Sequence, residues 1–350
     1  MTAAELPGMT LRWTDLPALP DPVGYAGAFA GVSGGALLVA GGANFPDNRG
    51  PWGGSAKAWN DRVWALESPD GIWREAGRLP RPLGYGVALN LGPDLLCVGG
   101  ADAERHHADV FTLEYSCGLV RARPMPPLPV PLANATGALV EGVIYVAGGL
   151  AAPEARRAEH VLLRLDPAQL ERGWEKLSGW PGPALMLATA GELHGRLLLV
   201  GGAELVDEPG SASARRVYHA EAYSFDPGTC AWSRLATAPR AVVAAPSPGL
   251  SAGGRFYILG GDDGSLAARV SELALAHPGF CSDVLEYDPV GDRWRVLAEP
   301  SSGSEPGRKA DRPAPVTTPL VRWGDRAVLA SGEIRPGVRS NRVSAAVLHS

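Results

Sequence analysis

Arg255-Phe256-Tyr257-Ile258-Leu259-Gly260-Gly261 is the stretch that decides the fold: an apolar run of β-branched and aromatic residues that stops at a glycine pair. Before it, Val242-Val243-Ala244-Ala245 reads as one strand. After it, across a loop, Ser282-Asp283-Val284-Leu285-Glu286-Tyr287-Asp288-Pro289 reads as a third strand and Arg293-Trp294-Arg295-Val296-Leu297 as a fourth. Such runs between turn signals predict a four-stranded unit.

The unit recurs. Apolar runs also stop at Gly41-Gly42, Gly99-Gly100, Gly148-Gly149 and Gly201-Gly202, and a worn copy stands at Ser331-Gly332. Successive starts lie 58, 49, 53, 59 and 71 residues apart. A tryptophan closes the unit at Trp73, Trp174, Trp232 and Trp294, with Leu119 in the second copy. Asp166-Pro167, Asp226-Pro227 and Asp288-Pro289 mark the turn before that last strand, with Pro69-Asp70 as a variant. Each position has a physical reason. Glycine permits close backbone approach and unusual dihedrals. Tryptophan buries a large area while its N–H reaches an acceptor. Asp-Pro sets a hairpin turn. Strand-built repeats of roughly 40–50 residues are the signature of propeller blades, which cannot bury their faces singly and stack into one body.

The expected fold is therefore all-β: a single six-bladed propeller over 1–350, with blades at about 24–76, 83–123, 131–178, 184–236, 241–298 and 313–350. The sixth unit ends at a third strand, Ser344 to Leu348, with no tryptophan strand behind it. Leu11-Arg12-Trp13-Thr14-Asp15-Leu16, within 9–16, supplies the missing one and closes the ring, which removes a free sheet edge.

Composition agrees. The chain is 45% hydrophobic and 20% charged, with 45 glycines and 32 prolines, as a turn-rich β protein requires. A net charge of −5 without a basic stripe argues against nucleic acid and anionic membranes as partners. No apolar run approaches the roughly 20 residues of a membrane helix. Met1 to Asp21 has no apolar stretch of the secretory kind, and the four cysteines form no C-x-x-C pair. Cys97 sits inside an apolar strand. These features fit a reducing cytoplasm.

Gly-Gly, an aromatic in the next strand and then Trp resembles the kelch repeat over almost the whole chain. In propellers of this kind the residue after the glycine pair faces the rim that carries the loops between second and third strands. Here those loops are long and unequal: Ala43 to Asn60, Ala203 to His219 and Asp262 to Cys281. Loops on a rigid scaffold usually carry function. In the worn copy, Ser331-Gly332-Glu333-Ile334-Arg335-Pro336-Gly337-Val338-Arg339, the Pro-Gly turn folds an acid and an arginine back toward the channel mouth.

That segment is similar to the catalytic segment of the N-acetylneuraminate epimerase family, bacterial sialic acid mutarotases built on a six-bladed kelch propeller. Tyr25 to Ser33, running on to Ala40-Gly41-Gly42-Ala43-Asn44-Phe45, and Arg81-Pro82-Leu83-Gly84-Tyr85-Gly86-Val87 are similar to two further blades. Those blades come late in the family's secreted form and first here, so the resemblance implies a cyclically permuted branch without a signal peptide. It implies that Glu333 is the acid/base and Arg339 binds the substrate. The chemistry suits both: mutarotation opens and recloses a cyclic hemiketal by proton transfer, and a guanidinium holds a carboxylate in bidentate fashion. No metal or nucleotide is required. Arg81 and Arg240, each preceding a first strand, together with Asn44 and Arg335, are further candidate substrate contacts, and Arg49 a candidate lid residue. The implied partner is a small acidic sugar.

A non-catalytic kelch module that binds protein or carbohydrate is the main alternative, supported by Trp52 and Trp59 in the first long loop. A copper propeller oxidase lacks its Cys-Tyr-His set. Gly31-Val32-Ser33-Gly34-Gly35 matches a nucleophile elbow, but a strand follows where that motif needs a helix. The histidines, including His106-His107, show no ligand spacing, and Asn134-Ala135-Thr136 reads as a chance glycosylation sequon.

Overall fold

The computed structural model describes residues 13–211, 213–297 and 315–347. Six four-stranded antiparallel sheets follow one another around a channel. From channel to outside, blade 1 runs Phe29–Ser33, Ala36–Ala40, Arg62–Leu66 and Arg74–Arg78. Blade 3 runs Thr136–Val140, Val143–Ala147, Leu162–Leu165 and Glu175–Leu177. Blade 6 is completed by Trp13–Leu16, which pairs antiparallel with Val343–Val347, Trp13 opposite Ala346. The expected closure by the N-terminal strand therefore holds. Leu11, Arg12, Leu348 and the outermost limits assigned to blades 5 and 6 lie outside the described residues.

Six apolar clusters fill the six seams between neighbouring blades. One joins blades 6 and 1 through Leu37, Val39, Trp73, Val321, Val328 and Val343, and another joins blades 3 and 4 through Tyr145, Leu162, Trp180, Leu199 and Phe225. Burying each large apolar side chain contributes about 1.5–3 kcal/mol. Around the outside, tryptophan indoles stitch blades 1, 3, 4 and 5 each to the blade before it. Trp73 donates to the Pro17 carbonyl (2.7 Å), Trp174 to Pro126 (2.8 Å), Trp232 to Ser178 (2.9 Å) and Trp294 to Ala236 (2.8 Å).

The glycine pair is the inner joint. Gly148 lies at φ +65°, and a Cβ there would stand 2.1 Å from the Leu185 carbonyl oxygen of the next blade. The following N–H, of Gly149, donates to that same carbonyl at 2.9 Å. In the worn copy Ser331 takes φ +70° itself. Its hydroxyl accepts the Tyr25 N–H (2.7 Å) and lies 2.7 Å from the Ser340 carbonyl, tying blade 6 to blade 1.

A circle of six backbone hydrogen bonds surrounds the channel. Gly27, Tyr85, Asn134, Leu187, Ala244 and Thr317 each donate N–H to the carbonyl of the previous member, and Gly27 donates to Thr317, at 2.7–2.9 Å. All six are left-handed, φ +51° to +65°. The residue before each member exchanges both backbone bonds with the residue after a doublet: Ala26 with Ala43, Gly84 with Ala101, Ala133 with Leu150, Met186 with Ala203, Val243 with Asp262 and Val316 with Glu333.

Two strand expectations are corrected. Val242 to Ala245 is not the first strand of blade 5; Ala244 is turned left-handed to join the circle, and the inner strand is Leu250–Ala252. Leu119 is not in the closing position. Register sets Trp232 opposite Phe225 and Trp294 opposite Tyr287, and in blade 2 it sets Val120 opposite Tyr115. Val120 packs into the seam, while Leu119 is 66% exposed on the hairpin.

Candidate functional site

Pro336-Gly337 turns the worn segment into a small hairpin, Glu333–Arg335 against Val338–Arg339, with Glu333 opposite Arg339. Gly337, at φ +77°, donates its N–H to Glu333 Oε1 at 2.9 Å. Arg339 Nη2 then lies 3.3 Å from Glu333 Oε2 and donates to the Tyr85 hydroxyl at 3.3 Å. Tyr85 belongs to the backbone circle, so its ring connects the channel mouth to the acid–arginine pair.

Two long loops flank this hairpin. On one side, the Asn48 side chain accepts the Arg339 N–H (2.8 Å) and donates to the Arg339 carbonyl (3.1 Å). Gly50 meets Gly337 so closely that a Cβ on either would clash. The Phe45 ring lies 5.1 Å from the Arg339 guanidinium carbon. Asp47 shapes this loop. Hydrogen bonds from the Ser55 hydroxyl and from the N–H groups of Arg49, Ser55 and Gly54 hold its carboxyl down at about 2. Lys57 caps the Trp59 and Tyr85 rings at 4.5 and 4.1 Å, and those rings meet edge to face. On the other side, Arg335 Nη1 donates to the Leu275 carbonyl (3.1 Å), fastening the 262–281 loop.

Arg339 is 4% exposed, and its Nε and Nη1 have no hydrogen-bond partner among the described residues. A buried guanidinium donor without a partner is costly, and a carboxylate is its best-matched acceptor. The Lys57 ammonium adds positive charge to the same mouth. The channel below is lined by residues of all six blades, including Thr136, Ser247 and Thr318.

The structure brings Glu333 and Arg339 together and sets Arg335 beside them as a loop strap. The other candidates lie elsewhere. Arg81 pairs with Asp109 (3.4 Å) and lies 3.3 Å from His107 Nδ1; His107 in turn binds Asp102 at 2.7 Å. Arg240 is held by Asp283 and by the Gly260 and Ala241 carbonyls. Asn44, buried, donates to the Gly24 carbonyl at 2.9 Å and ties down the lead into blade 1. Arg49 is exposed. Tyr85, Phe45, Asn48 and Lys57 are absent from the sequence-based candidates. Phe45 and Tyr85 stand in the segments similar to the family's blades, and Tyr85 is also the one aromatic at its position in the repeat.

Other motifs resolve into structure. Ser33 is fully buried in a β-hairpin; its hydroxyl accepts the Tyr115 N–H and donates to Asp94. Asn134 of the sequon belongs to the backbone circle. Trp52 and Trp59 are partly buried in the loop.

Residues 1–120 match the family model of N-acetylneuraminate epimerase; the Glu333–Arg339 hairpin lies outside that segment. A Brucella suis protein named N-acetylneuraminate epimerase is 42% identical over 114 residues, 29% of each chain. One of the same name from Yersinia pestis is 31% identical over 244 residues, 63% of this chain and 57% of the relative. One from Salmonella arizonae is 42% identical over 105 residues, 27% of each. The matches thus span between 27% and 57% of the length of these relatives. The resemblance first read from the residues stands: this six-bladed propeller is related to the N-acetylneuraminate epimerase family.

Proposed function

We propose that this protein is a mutarotase that interconverts the α and β anomers of N-acetylneuraminate or a related acidic sugar. The observation that carries the reading is the buried Arg339 guanidinium, with two nitrogens unpartnered among the described residues, 3.3 Å from the Glu333 carboxylate at the channel mouth. A sugar acid has its carboxylate on the anomeric carbon. Arg339 holds that carboxylate, which sets the anomeric hydroxyl beside Glu333. Glu333 takes the hydroxyl proton as the ring opens, the departing ring oxygen takes up a proton in exchange, and both transfers reverse when the ring closes on the other face. Lys57 supports the negative charge, and Phe45 and Asn48 roof the arginine and keep water from it. The sugar reaches Arg339 by displacement of the 45–54 loop. The names of the relatives and the shared segments support this reading. No helix among the described residues is long and apolar enough to cross a membrane. With four free cysteines, a cytoplasmic location is part of the proposal.

Proton NMR of freshly dissolved N-acetylneuraminate tests it. The wild type is expected to exchange the anomers far above the spontaneous rate, and Glu333→Gln to lower that rate about 100-fold or more. A wild type that leaves the spontaneous rate unchanged, or a Glu333→Gln protein as fast as wild type, contradicts the reading.

A further inference from the structure

Asp262 occupies in blade 5 the place that Glu333 occupies in blade 6. Each follows a doublet. Asp262 exchanges backbone bonds with Val243 at 2.8 and 3.0 Å, and Glu333 does so with Val316 at 3.0 and 2.8 Å. Val243 and Val316 immediately precede Ala244 and Thr317, which bond each other directly in the circle at 2.9 Å. The two carboxyl-bearing residues thus stand one sector apart at the same level of the mouth. The other four blades place Ala43, Ala101, Leu150 and Ala203 there, so the repeat itself asks for no acid at this position.

The surroundings of the two carboxyls differ. Glu333 is ion-paired with Arg339. Asp262 belongs to no ion pair among the described residues and stands beside an apolar cluster of Val243, Ala244, Val316, Leu205 and Phe280. It accepts the Gly264 N–H at 3.0 Å and is within hydrogen-bonding reach of the Tyr218 hydroxyl. The groups facing it are Asp263 of its own loop, Tyr218 of the 203–218 hairpin and the buried His277. Arg216 and Arg335 stand behind Tyr218 and His277. His277 Nδ1 accepts the Gly279 N–H, which leaves its proton on Nε2. Burial, and next the neighbouring Asp263 charge, push the Asp262 carboxyl above its ordinary range, against the hydrogen bonds from Gly264 and Tyr218 and the attraction of His277. Paired groups whose environments diverge in this way suit opposite halves of a proton transfer.

We propose that Asp262 is the second proton-transfer group of the site, serving the ring oxygen while Glu333 serves the anomeric hydroxyl; this rests on the mutarotase reading. Glu333 takes the hydroxyl proton, and the freed electron pair forms the carbonyl of the open-chain ketone. The bond from the anomeric carbon to the ring oxygen breaks, and its electron pair leaves with that oxygen, which receives the Asp262 proton. Rotation about the bond beside the carbonyl presents the other face. Reversal of both transfers recloses the ring and restores each carboxyl. Nothing is oxidised, reduced or hydrolysed.

The test is Asp262→Asn in the full chain with N-acetylneuraminate as probe. The expected result is a kcat for anomer exchange about 100-fold lower, with affinity by calorimetry within threefold of wild type. The wild-type kcat should fall as pH rises and Asp262 loses its proton, and this limb should be missing from the variant. Asp262→Glu, which keeps the acid, should recover part of the rate with the limb displaced; it carries the test should the asparagine variant not fold. An active wild type with an unaffected Asp262→Asn rate overturns this inference alone. So does a lost rate with the limb retained, or lost affinity, or Asp262→Glu with the wild-type limb. A wild type without catalysed exchange overturns the mutarotase reading and this inference with it.

Discussion

Blades 3 and 6 share one backbone plan and differ at the joint to the next blade and at the residue after it. Both run four antiparallel strands outward from the channel, both place a left-handed residue in the backbone circle, and both bridge the residue before it to the one after the doublet. At that last position blade 3 has Leu150 and blade 6 has Glu333. In blade 3 the joint to the next blade needs glycine, because the Leu185 carbonyl oxygen would stand 2.1 Å from any Cβ on Gly148. In blade 6 a serine stands in the joint, and its hydroxyl makes bonds to the Tyr25 backbone of the neighbouring blade that glycine cannot. The comparison teaches that backbone geometry is common property of the ring, and that single side chains at a position the backbone has already aimed set one blade apart from another.

Making blade 6 like blade 3 is the strongest way to break this account. Glu333→Leu should lower anomer exchange by about 10²–10⁴-fold and leave thermal unfolding close to wild type; a variant that keeps its rate, or one that unfolds, contradicts the division between scaffold and chemistry. Arg339→Lys keeps the charge and loses the fork. Loss of about 1.5–3 kcal/mol of charge-assisted bonding corresponds to a kcat/KM for the acidic sugar lower by roughly 10–100-fold, and steady-state exchange rates at several concentrations read it. The converse substitution strikes the scaffold. Gly148→Ala should lower stability in denaturant by at least about 2 kcal/mol while the folded fraction keeps its exchange rate. The smallest effect belongs to the roof. Asn48→Ala removes two hydrogen bonds to the Arg339 backbone, each worth about 1 kcal/mol or less, and kcat/KM should move by less than tenfold.

What the residues disclose follows from which constraints are local. The glycine pairs, the tryptophans and the Asp-Pro turns are each demanded by a contact made within or beside one blade: a carbonyl too close for a Cβ, an indole N–H with an acceptor, a carboxylate that caps its own turn. They are therefore readable as a repeat. The hydrogen-bonded circle is not. Tyr85, Leu187, Ala244 and Thr317 have no local preference for left-handed dihedrals, and only closure of the ring forces them there. That is why Val242 to Ala245 reads as a strand and is not one. Leu119 misleads by a single residue, because side chains alternate along a strand and register decides which one enters the seam. Glu333 and Arg339 are legible through the turn that joins them. Arg81 and Arg240 look equally available in sequence, yet Asp109 and Asp283, distant along the chain, engage them. Asp262 shares the register of Glu333, a signal visible only when the six copies are aligned on the residue after the doublet.

The central claim is a location, and a crystal structure of the protein soaked with N-acetylneuraminate tests it most directly. The account predicts the sugar carboxylate within hydrogen-bonding distance of Arg339, with the anomeric centre between Glu333 and Asp262 and the 45–54 loop displaced to admit it. A sugar seated instead against Arg81 and His107, or anywhere that leaves the Arg339 guanidinium without an anion, would contradict it.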